Sequence, residues 1–306
     1  MKIRAILNRD GGTLRTMDLD AFCTRAKEIF AAEGHELDCR VVAGKSVEAE
    51  LRKAVGDPAV EAVLAGGGDG TISAAAAMAF KHGKPLAVLP AGTMNLFARS
   101  LGMPLELDRA LLAIARGTVG RVDIATANGR PFVHQYGVGI HARLVRIRDG
   151  MVYRSRVGKM LASLRAIMAS ALNPPEFDVD FHTEKGDRTM TVSGIAVSNN
   201  PLDDSPVPVA ETLDGGRLGV YVAQKVTSRE LLSLAFDVMT GRWRANPAVS
   251  ETEVRDLVLR FPKRKRGTHA VVDGELIDLE QAVTLQIHPQ GLPVILPAKD
   301  LPPRVG

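Results

Sequence analysis

Hydrophobic positions in the first third of the chain follow two alternating textures. Short apolar runs, KIRAILN (2–8), ELDCRVV (36–42), VEAVLA (60–65) and PLAVLP (85–90), read as buried strands. Apolar residues at helical spacing predict helices over 15–33, 46–55, 72–82, 94–101 and 106–116. Gly34 and Gly83 sit where helix C-caps are expected. Such alternation predicts a mostly parallel sheet with helices on both faces, and ligands of these sheets bind outside the carboxyl ends of the strands. Asn8, Gly66 to Thr71 and Ala91 to Asn95 all fall at ends of that type.

From about Arg121 the texture changes. RVDIATAN, RPFVHQYGVGI, EFDVDFH, RTMTVSGIAVSNN, RLGVYVAQ, EVRDLVLRF, HAVVDGE and AVTLQIH are β-rich and joined by turn residues. Two helical patterns, near 155–172 and 228–241, interrupt them. The expected organisation is an α/β domain over 1–121, followed by an all-β, sandwich-like domain of antiparallel sheet over 122–306.

Composition is that of an ordinary globular enzyme. The 306 residues are 45% hydrophobic and 24% charged, with a net charge of +4. Cys23 and Cys39 are the only cysteines; their scarcity, with no signal peptide in evidence, predicts reduced thiols and a cytoplasmic location. No apolar run approaches the ~18 residues of a spanning helix, so membrane contact is expected to be peripheral.

The stretch with the most chemistry is AGGGDGT (65–71), at the turn from the third strand into an Ala-rich helix. Glycines there let the backbone approach a ligand and aim N–H groups at it, and phosphate is the usual guest. Asp69 inside the cradle would repel bare phosphate, which implies a magnesium ion or a proton to be moved. The loop LPAGTMNLFARSLGMP (89–104) repeats the logic, with Gly92, the Thr93 hydroxyl and the Asn95 amide at the start of the next helix. An ordinary βα loop, with Thr93 or Asn95 as a cap, is the plainer reading. Neither a P-loop lysine nor a dinucleotide fingerprint is present. Nucleotide-dependent phosphoryl transfer is the indicated chemistry.

These two loops, with VDIA (122–125) and VDGE (272–275), resemble the diacylglycerol kinase catalytic-domain family, which includes bacterial lipid kinases and the sphingosine and ceramide kinases. The resemblance runs from near residue 2 to near 297. It implies an ATP-dependent lipid kinase in which a nucleotide-binding α/β domain precedes a β-sandwich domain. Position by position it assigns phosphate contacts to the glycine turn from Gly66 and Gly67 through Gly68, Asp69, Gly70 and Thr71, and nucleotide contacts to Thr93, Asn95 and the turn starting at Asn8. It gives the role of base to Asp273 or Glu275, with Asp69 also credited, and the Mg2+ network to Asp123. The metal loop departs from the pattern: in Asp214-Gly215-Gly216-Arg217-Leu218 a glycine holds the register of the metal aspartate, so Asp214 would substitute. Leu96 stands where an aspartate is usual, and VVAGKS (41–46) lacks a usual threonine. Val-Asp-Gly-Glu can also be a plain hairpin turn.

Cations cluster twice. Arg143, Arg146, Arg148, Arg154, Arg156, Lys159 and Arg165 accompany apolar residues Val157, Met160, Leu161, Leu164 and Met168. A basic amphipathic helix reads either as an element for an anionic membrane surface or as a packed helix with a solvated face. Lys263-Arg264-Lys265-Arg266 reads as a solvated loop before the VDGE strand, or as a contact for nucleotide phosphate or a lipid headgroup. With 4% aromatics and no stacking platform, nucleic acid is not an expected partner. The histidines show no metal-ligand spacing. A soluble NAD kinase and a catalytically silent nucleotide-binding module are the rival readings; a homodimer is compatible with the sequence.

Overall fold

The computed structural model describes residues 1–149 and 174–300. The expected helix near 155–172 lies outside the described residues. The chain divides into a unit of Met1–Ile124 joined by the chain from Pro289 onward, and a second unit of Ala125–His288. The boundary thus falls just after the 121/122 expected, and the C-terminal segment, expected in the second domain, groups with the first.

In the first unit the strands β1 (Lys2–Asn8), β2 (Glu36–Val42), β3 (Ala62–Gly67) and β4 (Leu86–Pro90) lie in the order β2-β1-β3-β4, all parallel. The end of a long C-terminal strand adds beside β4 in parallel, Val294 opposite Leu86. Every residue of β3 and β4 is buried, as continuous apolar runs demand when both faces of a sheet are covered. β2, at the edge, is mostly half-buried. The covering helices are α1 (Leu19–Ala32), α2 (Val47–Gly56), α3 (Asp69–His82), α4 (Leu96–Ser100) and α5 (Leu107–Ala115). Asp18 caps α1 by accepting from Asp20 N and Ala21 N, and Gly83, at φ +64°, ends α3 in the left-handed conformation. β1 has β2 on one side and β3 on the other, which makes its carboxyl end the switch point where a crevice opens.

Cys23 and Cys39, expected as reduced thiols, form a disulfide between α1 and β2, with Cα atoms 6.0 Å apart. Packing α1 onto β2 brings the two residues within bridging distance, which scarcity of cysteine could not reveal.

The second unit is antiparallel. It contains the end of β5 (Thr118–Ala127), then β6 (Arg130–Phe132), β7 (Gln135–Gly139), α6 (Ile140–Asp149), β8 (Phe177–Thr183), β9 (Gly186–Asn199) and β10 (Leu218–Gln224). After these come α7 (Ser228–Thr240), β11 (Val249–Val254), β12 (Asp256–Arg260), β13 (His269–Val272), β14 (Glu275–Asp278) and the start of β15 (Ala282–Leu296). β9 pairs with β7, β8 and β10, and the run continues through β12 to β15. Alternating inward residues, among them Val179, Val197, Leu218, Leu257 and Leu285, form its core. α7 begins with a Thr227–Glu230 capping box and ends at Gly241. Among the described residues no helix is long and apolar enough to cross a membrane.

Candidate active site

Four strand tips of the first unit build one cradle. At the end of β1, Asn8 donates from Nδ2 to Thr71 Oγ1 (3.0 Å) and accepts at Oδ1 from Asp10 N (3.1 Å). Asp10 in turn accepts from Gly44 N, beyond β2, at 2.7 Å. Thr13 N donates to the Ala91 carbonyl beyond β4 at 2.8 Å. The backbone passes so close there that a Cβ on Gly12 would stand 1.8 Å from that carbonyl oxygen.

The two glycine loops touch. A Cβ on Gly92 would lie 2.7 Å from Gly68 Cα, so Gly92 admits no side chain. Gly67 has the same restriction against Thr71, at 2.7 Å. Gly66 differs, since its missing side chain makes room for Leu7 and Leu89 within the sheet. Gly70 meets nothing within 4 Å. Tight backbone contact next to open space is what a phosphate needs: N–H groups it can reach and a volume it can fill.

Asp69 locks the loops together. Its carboxylate accepts from Leu96 N at 2.7 Å and from Asn95 N at 3.2 Å. Asn95 holds a left-handed backbone (φ +54°), and its side-chain amide closes the Ala-Gly-Thr turn, accepting from Gly92 N (2.8 Å) and donating to Gly92 O (3.1 Å). Asn95 is therefore buried as a brace, whereas Thr93 is exposed. Leu96 contributes the backbone N–H that Asp69 takes. Asp123, also in the first unit, is fully buried in β5 and accepts from Gln290 N at 2.8 Å.

The remaining candidates lie in the second unit. Asp273 and Gly274, at φ +47° and +84°, are the two-residue turn between β13 and β14, so the hairpin reading of Val-Asp-Gly-Glu is correct as local structure. The Asp273 carboxylate accepts three backbone N–H bonds, from Val133 (3.0 Å), His134 (2.9 Å) and Gln135 (3.0 Å). Glu275, the next non-glycine residue, is exposed and pairs with Arg130 at 2.6 Å. His134 and Gln135 belong to an apolar cavity of about 510 Å3 walled by Ile195, Leu231, Leu234 and Trp243. The sequence marked neither residue; a polar pair inside the apolar run RPFVHQYGVG was the available signal.

A protein-held magnesium fits these residues poorly. Asp214 is exposed, and no cluster of three His, Cys, Asp or Glu side chains occurs among the described residues. Near Gly215 the buried amide of Asn200 has no hydrogen-bond partner. One neutral oxygen and one exposed carboxylate are fewer than an all-protein cage needs, and Mg2+ usually takes the rest of its octahedral set from water and substrate phosphate.

Residues 2–127 match the family model of the diacylglycerol kinase catalytic domain. An uncharacterized protein of Synechocystis is 28% identical over 246 residues, 78% of this chain and 55% of that protein. The chain thus spans about half the length of that relative. A diacylglycerol kinase of Staphylococcus saprophyticus is 25% identical over 255 residues, covering 76% of this chain and 81% of its own. The crystal structure of a diacylglycerol kinase from Bacillus anthracis superposes with a TM-score of 0.71 at 17% identity, over 96% of each chain, which supports a shared fold. The resemblance that GGGDGT and LPAGTMNLFAR carry to the diacylglycerol kinase catalytic-domain family is thereby borne out over residues 2–127.

Proposed function

We propose that this protein is an ATP-dependent lipid kinase that transfers the γ-phosphate to a lipid hydroxyl. The observation that carries the reading is the contact of Gly68 with Gly92 at the tips of β3 and β4, next to the unfilled space at Gly70. ATP is the nucleotide substrate. Its phosphates would lie against the N–H groups of Gly67 through Thr71 and of the Ala91 to Thr93 turn, with the Thr93 hydroxyl as a further donor. Asn8 and Asn95 keep those turns in shape, and Asp69 holds one turn against the other.

The transfer breaks the bond between the γ-phosphorus and the β–γ bridging oxygen, and forms a bond to the lipid oxygen. The hydroxyl proton passes to a carboxylate, Asp273 or Glu275, and ADP leaves. Phosphoryl transfer depends mostly on positioning and charge stabilisation, so a rigid cradle is the larger contribution. The apolar cavity beside His134 and Gln135 suits the hydrocarbon part of an acceptor. Magnesium ordinarily accompanies nucleotide phosphates. The acceptor is met at an anionic membrane surface, where the enzyme binds peripherally.

The test is incubation of the purified chain with γ-labelled ATP and either a lipid extract or NAD, with mass spectrometry of the labelled product. Label in a phosphorylated lipid is the expected result. Label in NADP would make the protein an NAD kinase. Nucleotide binding without transfer would leave a silent binding module.

A further inference from the structure

Two basic stretches far apart in sequence meet in the second unit. Arg143 and Arg146 of α6, with Lys263, Arg264 and Lys265 ahead of β13, line one basin of about 560 Å3. Against these five cations stand two carboxylates, Glu176 and Asp178, leaving a surplus of three positive charges. Both carboxylates are engaged, Asp178 with Lys263 at 2.7 Å and Glu176 with Lys225 at 3.1 Å. Arg264 donates to the Leu279 carbonyl at 2.9 Å. Arg146 and Lys265 are exposed and enter no ion pair among the described residues. In sequence, Asp149 is the one acid between Arg143 and Arg165.

The basin is also apolar underneath. Phe261 is 2% and Leu279 3% exposed, and Phe177 packs on Phe261 with ring centroids 6.0 Å apart. His269, on the same wall, keeps Nδ1 buried without a hydrogen-bond partner. Exposed cations such as Arg146 and Lys265 over an apolar floor match a ligand with a phosphate at one end and hydrocarbon at the other. Arginine and lysine supply, respectively, a planar fork and a compact charge for phosphate oxygens. The volume lies within the range of small-ligand pockets and suits a headgroup with its glycerol.

We propose that this basin binds the phosphate headgroup of an anionic phospholipid, with Arg146 and Lys265 on the phosphate and the floor against the glycerol and first methylenes. It shares no residue with the cradle of the first unit and only Val138 with the apolar cavity beside His134 and Gln135, so it is an anchoring site in addition to the acceptor cavity. The function proposed above is not needed for it.

Vesicle flotation of the full chain, without ATP, tests the site. The vesicles are phosphatidylcholine alone or phosphatidylcholine with a minor fraction of phosphatidic acid. Binding to the acidic vesicles is expected to weaken about thirtyfold in Arg146→Gln/Lys265→Gln and about fivefold in either single variant. A control pair on the β8–β9 hairpin, Lys185→Gln/Arg188→Gln, should stay within about twofold of wild type. Equal losses in both pairs would reduce the effect to general surface charge and overturn the site, as would no loss in either. Calorimetric titration with glycerol 3-phosphate separates the sources of phosphate. Saturable binding of it without vesicle binding would make the ligand a free phosphate ester and overturn the lipid assignment. Because no nucleotide is present, an inactive kinase would leave these outcomes unchanged.

Discussion

Both units carry an Asp-Gly pair whose carboxylate clasps a neighbouring segment, and the two clasps are built differently. Asp69 opens a helix and takes two N–H groups, from Asn95 and Leu96, so it joins one glycine loop to another. Asp273 occupies a hairpin turn in left-handed backbone and takes three, from Val133, His134 and Gln135. The first fixes a surface of backbone donors. The second fixes a carboxylate beside an apolar cavity wall. At both Asp69 and Asp273 the carboxylate ties two chain segments together, and the surroundings of the two ties differ.

Substitution of each aspartate should separate those roles. With Asp273 as the base, Asp273→Asn lowers kcat by ~10²–10⁴ with the KM for ATP little changed. Asp69→Asn removes most activity as well, but through a raised KM for ATP, because Asn95 and Leu96 lose a charged acceptor. Steady-state kinetics on the two variants, each checked for a native melting transition, measures the split. A kcat loss with unaltered KM in Asp69→Asn would reverse the assignment.

Next in size is Gly92→Ala. The added methyl meets Gly68 Cα and, at 2.9 Å, Asn95 Oδ1. Displacing the loops by an ångström costs about a hundredfold in turnover, and overpacking costs ~1–3 kcal/mol in stability. Gly70→Ala, which meets nothing within 4 Å, should leave stability within ~0.5 kcal/mol while still reducing ATP affinity. Chemical denaturation and nucleotide titration of the pair show whether glycine is needed for packing or for the ligand.

A smaller effect is confined to the first unit. Reducing the Cys23–Cys39 bond, which spans a sequence separation of 16 residues, should destabilise the protein by ~3 kcal/mol on loop entropy. Denaturant midpoints with and without reductant, and with Cys39→Ser, measure it. Smallest of all is Glu275→Gln. Its pair with Arg130 is exposed and contributes about 0–1 kcal/mol, and turnover stays near wild type if Asp273 is the base. A large kcat loss in Glu275→Gln would move the base to Glu275.

Much of the first unit was legible because both its elements and its loops are local. Continuous apolar runs such as VEAVLA become fully buried strands, and Gly83 ends α3 where a C-cap was expected. The convergence of Asn8, Gly68 and Gly92 followed from strand-end logic. Their bonding did not. That Asn95 is consumed in bracing Gly92, or that Asp10 ties to Gly44, depends on side-chain directions that no spacing encodes. The same holds for the disulfide, which requires knowing that α1 lies on β2. In the second unit, strands were readable but pairing was not, since antiparallel partners such as β12 and β15 are distant in sequence. Lys263 to Lys265 read as a solvated loop or a contact for phosphate or a headgroup, and only folding brings them to Arg143 and Arg146.

Hydrogen exchange of backbone amides, measured by mass spectrometry with and without ATP, tests the central claim most directly. The account predicts slowed exchange in peptides covering 8–13, 66–71 and 91–96, lost in Gly92→Ala. Protection confined to the second unit, or protection of the strand tips that survives in Gly92→Ala, would contradict it.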